Sequence, residues 1–487
     1  MTKALMFQGT GSDVGKTVLV AGLCRLASNR GIKVMPFKPQ NMSNNAAVAD
    51  DGGEIGRGQW LQALAARVAP SIHMNPVLLK PQSEIGSQVV VQGRSRGYAK
   101  AREYKSMKPQ LMEAVLDSYR KLEATCDLVL VEGAGSPAEI NLRAGDIANM
   151  GFAREADVPV VLIGDIDRGG VIASIVGTHT ILPDDDRDMI KAYLINKFRG
   201  DVTLFDDGIK AIESFTNWPC LGVVPWLKAV GKLPPEDSVA LDHLIQSNSG
   251  QLKIAIPKLP RIANFDDFDP LVVEDNVNIK YIKSGESLPV DTDIVILPGS
   301  KSTIGDLQYL KNEGWQQTLK EHLNRGGQII GVCGGYQMLG RKIYDPEHIE
   351  SELDEIDGFG LLDIETEMAP QKITENVIAE TNIFNARING YEIHIGRTSG
   401  VDCERPFSII NSNKDGAISS DGKVMGTYLH GLFTSDEFRN KLLTSHGIAS
   451  SETNYQQLVD DALNELANEL DHLIDFDQLL DIAARKS

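Results

Sequence analysis

The sequence has 487 residues, of which 42% are hydrophobic and 24% charged, so it is long enough for at least two globular domains. Its formal net charge of −19 argues against binding to nucleic acid or to a membrane surface, because phosphate groups repel such a protein. The five cysteines are scattered without a CxxC pair, and neither a signal peptide nor a membrane span is recognisable, so we expect a cytoplasmic protein without a disulfide framework or zinc site.

The first half of the chain alternates apolar runs with helical patterns, which predicts a doubly wound α/β domain with a parallel sheet. The first strand covers Ala4–Phe7, and a glycine-rich loop joins it to a helix from Lys16 to about Asn29. Further strands are predicted at Leu128–Val131, Val158–Ile163, Ala192–Ile195 and Leu221–Val224. We assign residues 1–245 to this first domain.

The second half contains another series of apolar runs and is also predicted to be α/β. Polar stretches rich in proline, serine or glycine, Leu233–Asp237 and Ser247–Gly250, predict a linker before it. Its strands are predicted at Leu252–Ile256, Ile294–Leu297, Gln328–Val332 and Val424–Leu429, within a domain covering residues 251–440. In residues 441–487, apolar positions at helical spacing predict a C-terminal amphipathic helix that packs on the body or binds a partner.

The loop Gly9–Thr17, with the sequence GTGSDVGKT, lies between the first strand and the first helix. Backbone N–H groups in such a loop, together with the helix N-terminus, suit an anion. Lys16 would reach the β- and γ-phosphates of ATP, and the Thr17 hydroxyl would ligate Mg²⁺. The loop is one residue longer than a standard P-loop, and it does not fit a dinucleotide fingerprint. A glycine-rich turn is the alternative, but the GKT ending favours ATP binding, with Gly11 and Gly15 in the cradle.

This longer loop resembles that of dethiobiotin synthetase and its relatives, which phosphorylate a substrate carboxylate. The resemblance implies that Glu132, at the end of the strand Leu128–Val131, is a magnesium ligand, although a strand-end cap is the alternative. It also implies that Asn196 contacts the adenine. Glu54, which precedes a predicted helix around Gln59–Ala66, is a candidate second metal ligand.

Cys333 lies in the sequence Gly331-Val332-Cys333-Gly334-Gly335, which has the spacing of a nucleophile elbow with cysteine in place of serine. The glycines two residues away on either side allow a tight turn between a strand and a helix. The helix N-terminus behind the side chain favours the thiolate. A single cysteine is most often a buried core residue, but this pattern predicts a catalytic nucleophile.

His430, at the end of the strand predicted from Val424, is the candidate base for Cys333, and His394 is the competitor. The cysteine and histidine patterns together resemble the class I (triad) glutamine amidotransferases, whose base histidine occurs in the context Gly-x-x-x-His that His430 fits. The usual glutamate two residues after this histidine is replaced by Leu432, so the third member of the triad cannot be assigned. A Cys–His dyad is chemically sufficient, because a thiolate depends less on a strong base than serine does.

The segment Leu297–Lys301 resembles the oxyanion loop of the same amidotransferases. The resemblance implies an oxyanion and glutamine-binding site formed by Gly299, Ser300, Gly334 and Gln337. Ammonia for an ATP-dependent reaction is therefore expected to come from glutamine.

The combination of the two domains, together with the motifs Phe37–Asn45, Asn75–Pro81, Asp165–Gly170 and Leu259–Phe265, resembles the cobyric acid synthases over nearly the whole chain. The resemblance implies amidation of four peripheral carboxylates of adenosylcobyrinic acid a,c-diamide, a corrinoid, with glutamine, ATP and Mg²⁺ and without a tightly bound organic cofactor. Cobyrinic acid a,c-diamide synthase, another amidoligase, and a partitioning-type ATPase with a regulatory domain are the alternatives. The net charge does not exclude a local basic pocket for an anionic ligand.

Overall fold

The computed structural model describes residues 2–83, 86–235, 250–449 and 451–484, and the chain divides into two compact units. Unit 1 contains the residues up to Ser43, Ala49–Leu233 and the residues from Gln457 onward. Unit 2 contains Asn44–Val48 and Pro234–Gln456. None of the helices in the described residues is long and apolar enough to cross a membrane.

The strands of both units are numbered here in chain order. They are β1 Lys3–Gly9, β2 Val34–Phe37, β3 Gln40–Met42, β4 Ala46–Val48, β5 Glu54–Gly56, β6 Val77–Ser83, β7 Gly86–Val91, β8 Arg94–Lys100, β9 Leu128–Glu132, β10 Val160–Asp165, β11 Ile190–Phe198, β12 Cys220–Pro225, β13 Leu252–Pro257, β14 Val277–Ile282, β15 Ile294–Leu297, β16 Gln328–Val332, β17 Lys342–Tyr344, β18 Glu355–Asp357, β19 Ile364–Glu367, β20 Ile373–Thr381, β21 Arg387–His394, β22 Arg397–Gly400, β23 Ser408–Ile410, β24 Asn413–Asp415, β25 Ala417–Ile418 and β26 Val424–Thr427.

The α-helices are numbered in the same way. They are α1 Lys16–Asn29, α2 Arg57–Ala66, α3 Ala101–Glu123, α4 Met150–Glu155, α5 Val171–Ile181, α6 Asp184–Arg187, α7 Asp206–Thr216, α8 Asp269–Val272, α9 Thr303–Asn312, α10 Trp315–Asn324, α11 Gly334–Leu339, α12 Asp436–Ser445, α13 Tyr455–Leu473 and α14 Phe476–Ala483.

The main sheet of unit 1 has the strand order β12-β11-β10-β1-β9-β2, and every neighbouring pair is parallel. Its central strands are runs of valine, leucine and isoleucine that are buried along their length, as expected for a sheet covered on both faces. The doubly wound α/β prediction for the first half of the chain is therefore confirmed. Strand β1 lies between β9 and β10, so the loop that follows it opens at the edge where ligands bind in such sheets.

The main sheet of unit 2 has the order β14-β13-β15-β16-β26-β25 and is parallel except for the pair β25–β26. The second α/β prediction is thus also confirmed. Strands β15, β16 and β26 are parallel neighbours, so their C-terminal ends lie side by side on one edge. The loops that follow these three strands carry Gly299, Cys333 and His430.

Some element boundaries differ from the predictions. Strand β26 ends at Thr427, two residues before the predicted end at Leu429. The predicted linker lies largely in residues 236–249, outside the described residues. The C-terminal region is not one helix but two, α13 and α14, and helix α12 crosses the predicted boundary at residue 440.

The two C-terminal helices belong to unit 1, although their sequence follows unit 2. The fully buried guanidinium of Arg25, on α1, forms an ion pair with Asp460 at 2.6 Å and donates a hydrogen bond to Asn464 at 3.0 Å. Leu466 and Leu470 pack so closely against Gly22 of α1 that a larger residue there would collide with them. The predicted packing of an amphipathic helix on the body is thus observed, and its partner is the helix that follows the phosphate loop.

Candidate active site

The phosphate loop of unit 1 is tightly folded around Gly15, which precedes α1 with φ at 91°. A side chain at Gly15 would collide with the amide of Asn196, so only glycine fits this turn. The Asn196 amide donates to the carbonyl oxygen of Val14 at 2.8 Å. Lys16 is buried, and its ammonium group donates to the carbonyl oxygens of Gly11 (3.0 Å) and Gly135 (3.3 Å). The structure therefore brings Gly11, Gly15, Lys16 and Asn196 together at the C-terminal edge of the sheet.

Glu132, at the end of β9, is the centre of a buried polar network beside this loop. Its Oε1 accepts hydrogen bonds from the hydroxyl of Thr17 and the ammonium of Lys38, each at 2.7 Å. Its Oε2 accepts from the amide of Gln62 at 2.6 Å and from that of Gln59 at 3.3 Å. The pairing of Glu132 with Lys38 compensates for the cost of burying both charges.

Lys38 was not predicted as a site residue. It follows strand β2 and is only 5% exposed, within the motif Phe37–Asn45. A lysine directly after a buried parallel strand is unusual, because lysine is almost never buried unless it is paired. The position of Lys38 directly after a buried strand is therefore the feature of the sequence that could have indicated its role.

The oxygen atoms of Thr17 and Glu132 suit Mg²⁺, which prefers hard oxygen ligands and keeps several waters beside one or two protein groups. Within the described residues there is no cluster of three or more His, Cys, Asp or Glu side chains that would form an all-protein metal cage. The site therefore fits an ion that is shared with nucleotide phosphates. Glu54 is buried on β5 and pairs with Lys80 at 2.8 Å, so its role as a second ligand stays a prediction.

Cys333, in unit 2, occupies the turn between β16 and α11 with φ at 51° and ψ at −109°. This strained backbone is the one expected at a nucleophile elbow. Only glycine fits at Gly335, since a Cβ there would collide with the carbonyl oxygen of Leu297. The Cys333 sulfur lies 3.6 Å from the carbonyl oxygen of Ile393, on β21.

His430 follows β26 and is buried beside Cys333. Its Nδ1 lies 2.7 Å from Oδ2 of Asp267, while Oδ1 of the same carboxylate accepts from the backbone N–H of Gly431 at 2.7 Å. The ring stacks on Tyr391 with centroids 5.1 Å apart. Because Nδ1 is held by Asp267, Nε2 is the nitrogen that remains for proton exchange with the thiol.

Burial lowers the pKa of His430, but the charges and hydrogen bonds of Asp267 and Cys333 raise it more, and the resulting pKa is well above the usual histidine value. The imidazolium form is thus favoured next to the sulfur. A thiolate–imidazolium pair is the reactive state of cysteine nucleophiles that work with histidine.

Asp267 is a functional candidate that the sequence did not reveal. It lies in the short 3-10 turn Phe265–Phe268, immediately after the motif that ends at Phe265. It is 163 positions away from His430 in sequence, and no spacing rule connects two residues so far apart. The run of acids between two buried phenylalanines was the only signal, because carboxylates are rarely buried without a partner.

His394, the competing histidine, lies at the end of β21 and stacks on Tyr428 with ring centroids 3.7 Å apart. Its Nε2 is 3.6 Å from a carboxylate oxygen of Glu392. The structure thus pairs His430, and not His394, with Asp267. This arrangement favours His430 as the base.

The predicted oxyanion residues lie on the loop after β15 and on helix α11, two segments that approach each other next to the turn of Cys333. The backbone nitrogen of Ser300 lies 3.0 Å from the position that a Cβ would take on Gly334, and Gly299 faces the His430 ring. The loop after β15 and the start of α11 thus approach each other closely, and backbone N–H groups from both would be available to form an oxyanion hole. The Ser300 hydroxyl donates to Asp306 at 2.6 Å, which fixes the loop.

Gln337 is also near Cys333, but its side-chain amide is engaged inside unit 2. Its nitrogen donates to the carbonyl oxygen of Ile395 at 2.8 Å and to the Tyr428 hydroxyl at 3.1 Å, and its oxygen accepts from Thr303 at 3.2 Å. These bonds indicate that Gln337 positions the walls of the site.

We expect Asp267→Asn to lower glutamine hydrolysis on the order of 10²-fold, because an amide holds the imidazole less well than a carboxylate does. His430 must be protonated to deliver a proton to departing ammonia, so its activity is lost above its pKa. Removal of a charge that raises this pKa should move the alkaline limb of the pH profile to lower pH. Glutaminase assays across pH test this, with ammonium-dependent synthesis as the control. An unchanged rate and an unchanged limb would show that Asp267 is only structural.

Comparison with known proteins gives matches over both units. Residues 5–240 match a family described as the CobQ/CobB/MinD/ParA nucleotide binding domain, and residues 253–438 match the CobB/CobQ-like glutamine amidotransferase domain. The cobyric acid synthase of Rhizobium rhizogenes strain K84 is 64% identical over 98% of both chains. That of Allorhizobium ampelinum strain S4 is 64% identical over 99% of this chain and 100% of its own, and that of Rhizobium meliloti strain 1021 is 62% identical over 98% of both. Among solved structures, PurLQS from Thermotoga maritima matches 44% of this chain and 98% of its own at 18% identity, with a TM-score of 0.30.

Proposed function

The chain belongs to the cobyric acid synthase family of glutamine-dependent ligases, and we therefore propose that it amidates the b, d, e and g carboxylates of adenosylcobyrinic acid a,c-diamide. One glutamine and one ATP are used for each amide. The observation that carries the proposal is the presence, in one chain, of a Cys333–His430–Asp267 constellation and a phosphate loop facing a buried acid. The first constellation releases ammonia, and the second activates a carboxylate.

Activation is needed because a carboxylate does not exchange its oxygen for ammonia directly, hydroxide being a poor leaving group. In the proposed step a carboxylate oxygen of the substrate attacks the γ-phosphorus of ATP, and the bond to the β-phosphate oxygen breaks. ADP leaves and an acyl phosphate remains. Ammonia then attacks the acyl carbon, inorganic phosphate leaves, and the nitrogen loses a proton to give the amide.

The groups around the phosphate loop support this phosphoryl transfer. Lys16 would bring a positive charge to the β- and γ-phosphates, and Asn196, which bonds to Val14 of the loop, would contact the adenine. Thr17 and Glu132 would hold Mg²⁺, which neutralises charge on the phosphates. Lys38, at 2.7 Å from Glu132, would add a second ammonium that can attract the incoming carboxylate.

The ammonia originates in unit 2. The Cys333 thiolate attacks the side-chain amide carbon of glutamine, and N–H groups near Gly299 and Gly334 stabilise the oxyanion. His430, oriented by Asp267, gives its proton to the nitrogen as the carbon–nitrogen bond breaks, which leaves a thioester and ammonia. A water molecule that loses its proton to His430 hydrolyses the thioester to glutamate.

The test of this proposal is product analysis with defined corrinoid acids. Wild-type protein, ATP, Mg²⁺ and glutamine should convert adenosylcobyrinic acid a,c-diamide through partly amidated intermediates to a product with four new amides, as read by mass spectrometry. Amidation only at the a and c positions of cobyrinic acid would instead identify a diamide synthase. Turnover of neither acid would contradict the proposal.

A further inference from the structure

A cavity of about 590 Å³ lies in unit 1, beside the loop that follows β9. It is bounded by helix α3, the segment from Arg143 to Ile147, and helix α4. Its volume is in the range of sites that bind small molecules or parts of larger ones. None of the residues that line this cavity has a role in the amidation mechanism proposed above.

The same loop connects this cavity with the phosphate site. The loop begins at Glu132, and the carbonyl oxygen of Gly135 accepts a hydrogen bond from Lys16. The side chain of Asn149, at the other end, bonds to the backbone of Ala134 through both its oxygen (3.1 Å) and its nitrogen (2.5 Å). The segment that borders the cavity is therefore tied to the phosphate loop through Gly135, and its two ends are bonded to each other.

The charges that line the cavity are mostly compensated by neighbours. Arg143 forms a two-fold hydrogen-bonded pair with Asp186, at 2.5 and 2.8 Å, and Arg154 pairs with Asp185 at 2.9 Å. The carboxylate of Asp146 accepts bonds from backbone N–H groups at the start of α4.

Lys108 is different from the two arginines that line the cavity. Its ammonium lies 5.9 Å from the centre of the Tyr104 ring, and no carboxylate among the described residues pairs with it. Glu155, another lining residue, is exposed to solvent and does not pair with Lys108. Lys108 is thus the lining cation that is best placed to bind an external anion.

Two exposed aliphatic side chains lie on the same loop and precede the lining residue Arg143 in sequence. Ile140 and Leu142, in the turn Ile140–Leu142, are 51% and 55% exposed. Exposed aliphatic groups that precede the lining residue Arg143 in sequence, together with the Lys108 ammonium, suit a ligand with an apolar body and an anionic edge. A local cation is needed for such a ligand because the whole protein has a net charge of −19.

We propose that this cavity binds a peripheral carboxylate side chain of the macrocyclic substrate, with Lys108 as its ion-pairing group and Ile140 and Leu142 against the apolar face of the ring. The inference rests on the proposed function, since it assigns the anchor for the substrate of that reaction. Anchoring one carboxylate in the cavity would help to present another to the γ-phosphate, since the loop that borders the cavity also contacts Lys16 through Gly135.

The test is equilibrium binding of adenosylcobyrinic acid a,c-diamide, followed by its visible absorbance in dialysis without ATP. Lys108→Glu should weaken binding on the order of tenfold or more, because it replaces attraction by repulsion. Lys108→Arg should retain most of the affinity. Arg102→Glu is the matched control, because Arg102 lies on another side of α3, outside the cavity, and the same charge change there should have little effect.

ATP binding and glutamine hydrolysis, measured on the same variants, should stay within about twofold of wild type, as expected for a local surface change. Equal effects of Lys108→Glu and Arg102→Glu on corrinoid binding would overturn the inference, and so would a loss of ATP binding that parallels the loss of corrinoid binding. Salt dependence of wild-type binding is an independent check, since an ion pair predicts weaker binding at higher ionic strength. If the wild type forms amides but Lys108→Glu does not selectively weaken corrinoid binding, the cavity assignment is wrong and the proposed function stands. If the wild type amidates no corrinoid, the proposed function itself is wrong.

Discussion

Cys333→Ser is expected to lower the rate of glutamine-dependent synthesis on the order of 10³-fold or more, while synthesis with ammonium salts continues. A serine hydroxyl in the same elbow is a much weaker nucleophile than a cysteine sulfur, so it cannot replace Cys333 in the attack on glutamine. The phosphate loop and Glu132 belong to unit 1, and the exchange leaves their contacts unchanged. Free ammonia therefore bypasses the lost step.

The measurement is amide formation with each nitrogen source, together with glutamate release. Cys403→Ser is the matched control, because Cys403 lies in the same unit, and its sulfur is 3.8 Å from the Tyr336 hydroxyl, outside the His430–Asp267 pair. It should retain both activities. Equal loss of the two activities in Cys333→Ser would mean that Cys333 holds the fold and does not supply ammonia.

Lys16→Ala is expected to remove synthesis with glutamine and with ammonium alike, because both routes need the activated carboxylate. The loss should be on the order of 10²-fold or more, since deletion of one preorganised charge at a transition state costs about 3 kcal/mol. The Lys16 ammonium lies within the phosphate loop, where it donates to the carbonyl oxygens of Gly11 and Gly135.

ATP hydrolysis and amide formation at saturating ammonium would be compared for Lys16→Ala and for Lys210→Ala, whose exposed side chain pairs with Asp207 in the same unit. The second variant should behave as wild type. A near-normal ammonium-dependent rate in Lys16→Ala would remove the phosphate loop from the mechanism.

The parts of the site that could be predicted from sequence are those built from neighbouring residues. The turn around Gly15 and the elbow around Cys333 each depend on local backbone geometry, which glycine spacing reports directly. Asp267 and Lys38 could not be assigned in this way. Each reaches its partner only through the fold, Asp267 across 163 positions to His430 and Lys38 across 94 positions to Glu132.

The surface on which the C-terminal helices pack could not be predicted from the sequence, for the same reason. Their apolar periodicity predicts that one face is buried but does not identify the surface that buries it. In the structure, Arg25 pairs with Asp460 and Asn464 and so attaches α13 to α1. Nothing in the sequence around Arg25 indicates that its partners lie on the C-terminal helix. Packing against α1 makes these helices a support of the phosphate loop.

The proposed synthesis depends on an acyl phosphate intermediate, and transfer of an isotope from the substrate carboxylate to phosphate tests for it directly. The substrate carboxylates would be labelled with ¹⁸O, and the phosphate-containing products would be analysed after turnover with glutamine and with ammonium. A loop that ends in Gly15, Lys16 and Thr17 holds the β- and γ-phosphates, so the terminal phosphorus is the one exposed to attack. We predict ADP as the nucleotide product and ¹⁸O in inorganic phosphate. Label in AMP, with release of pyrophosphate, would contradict the acyl phosphate and the role assigned to the phosphate loop.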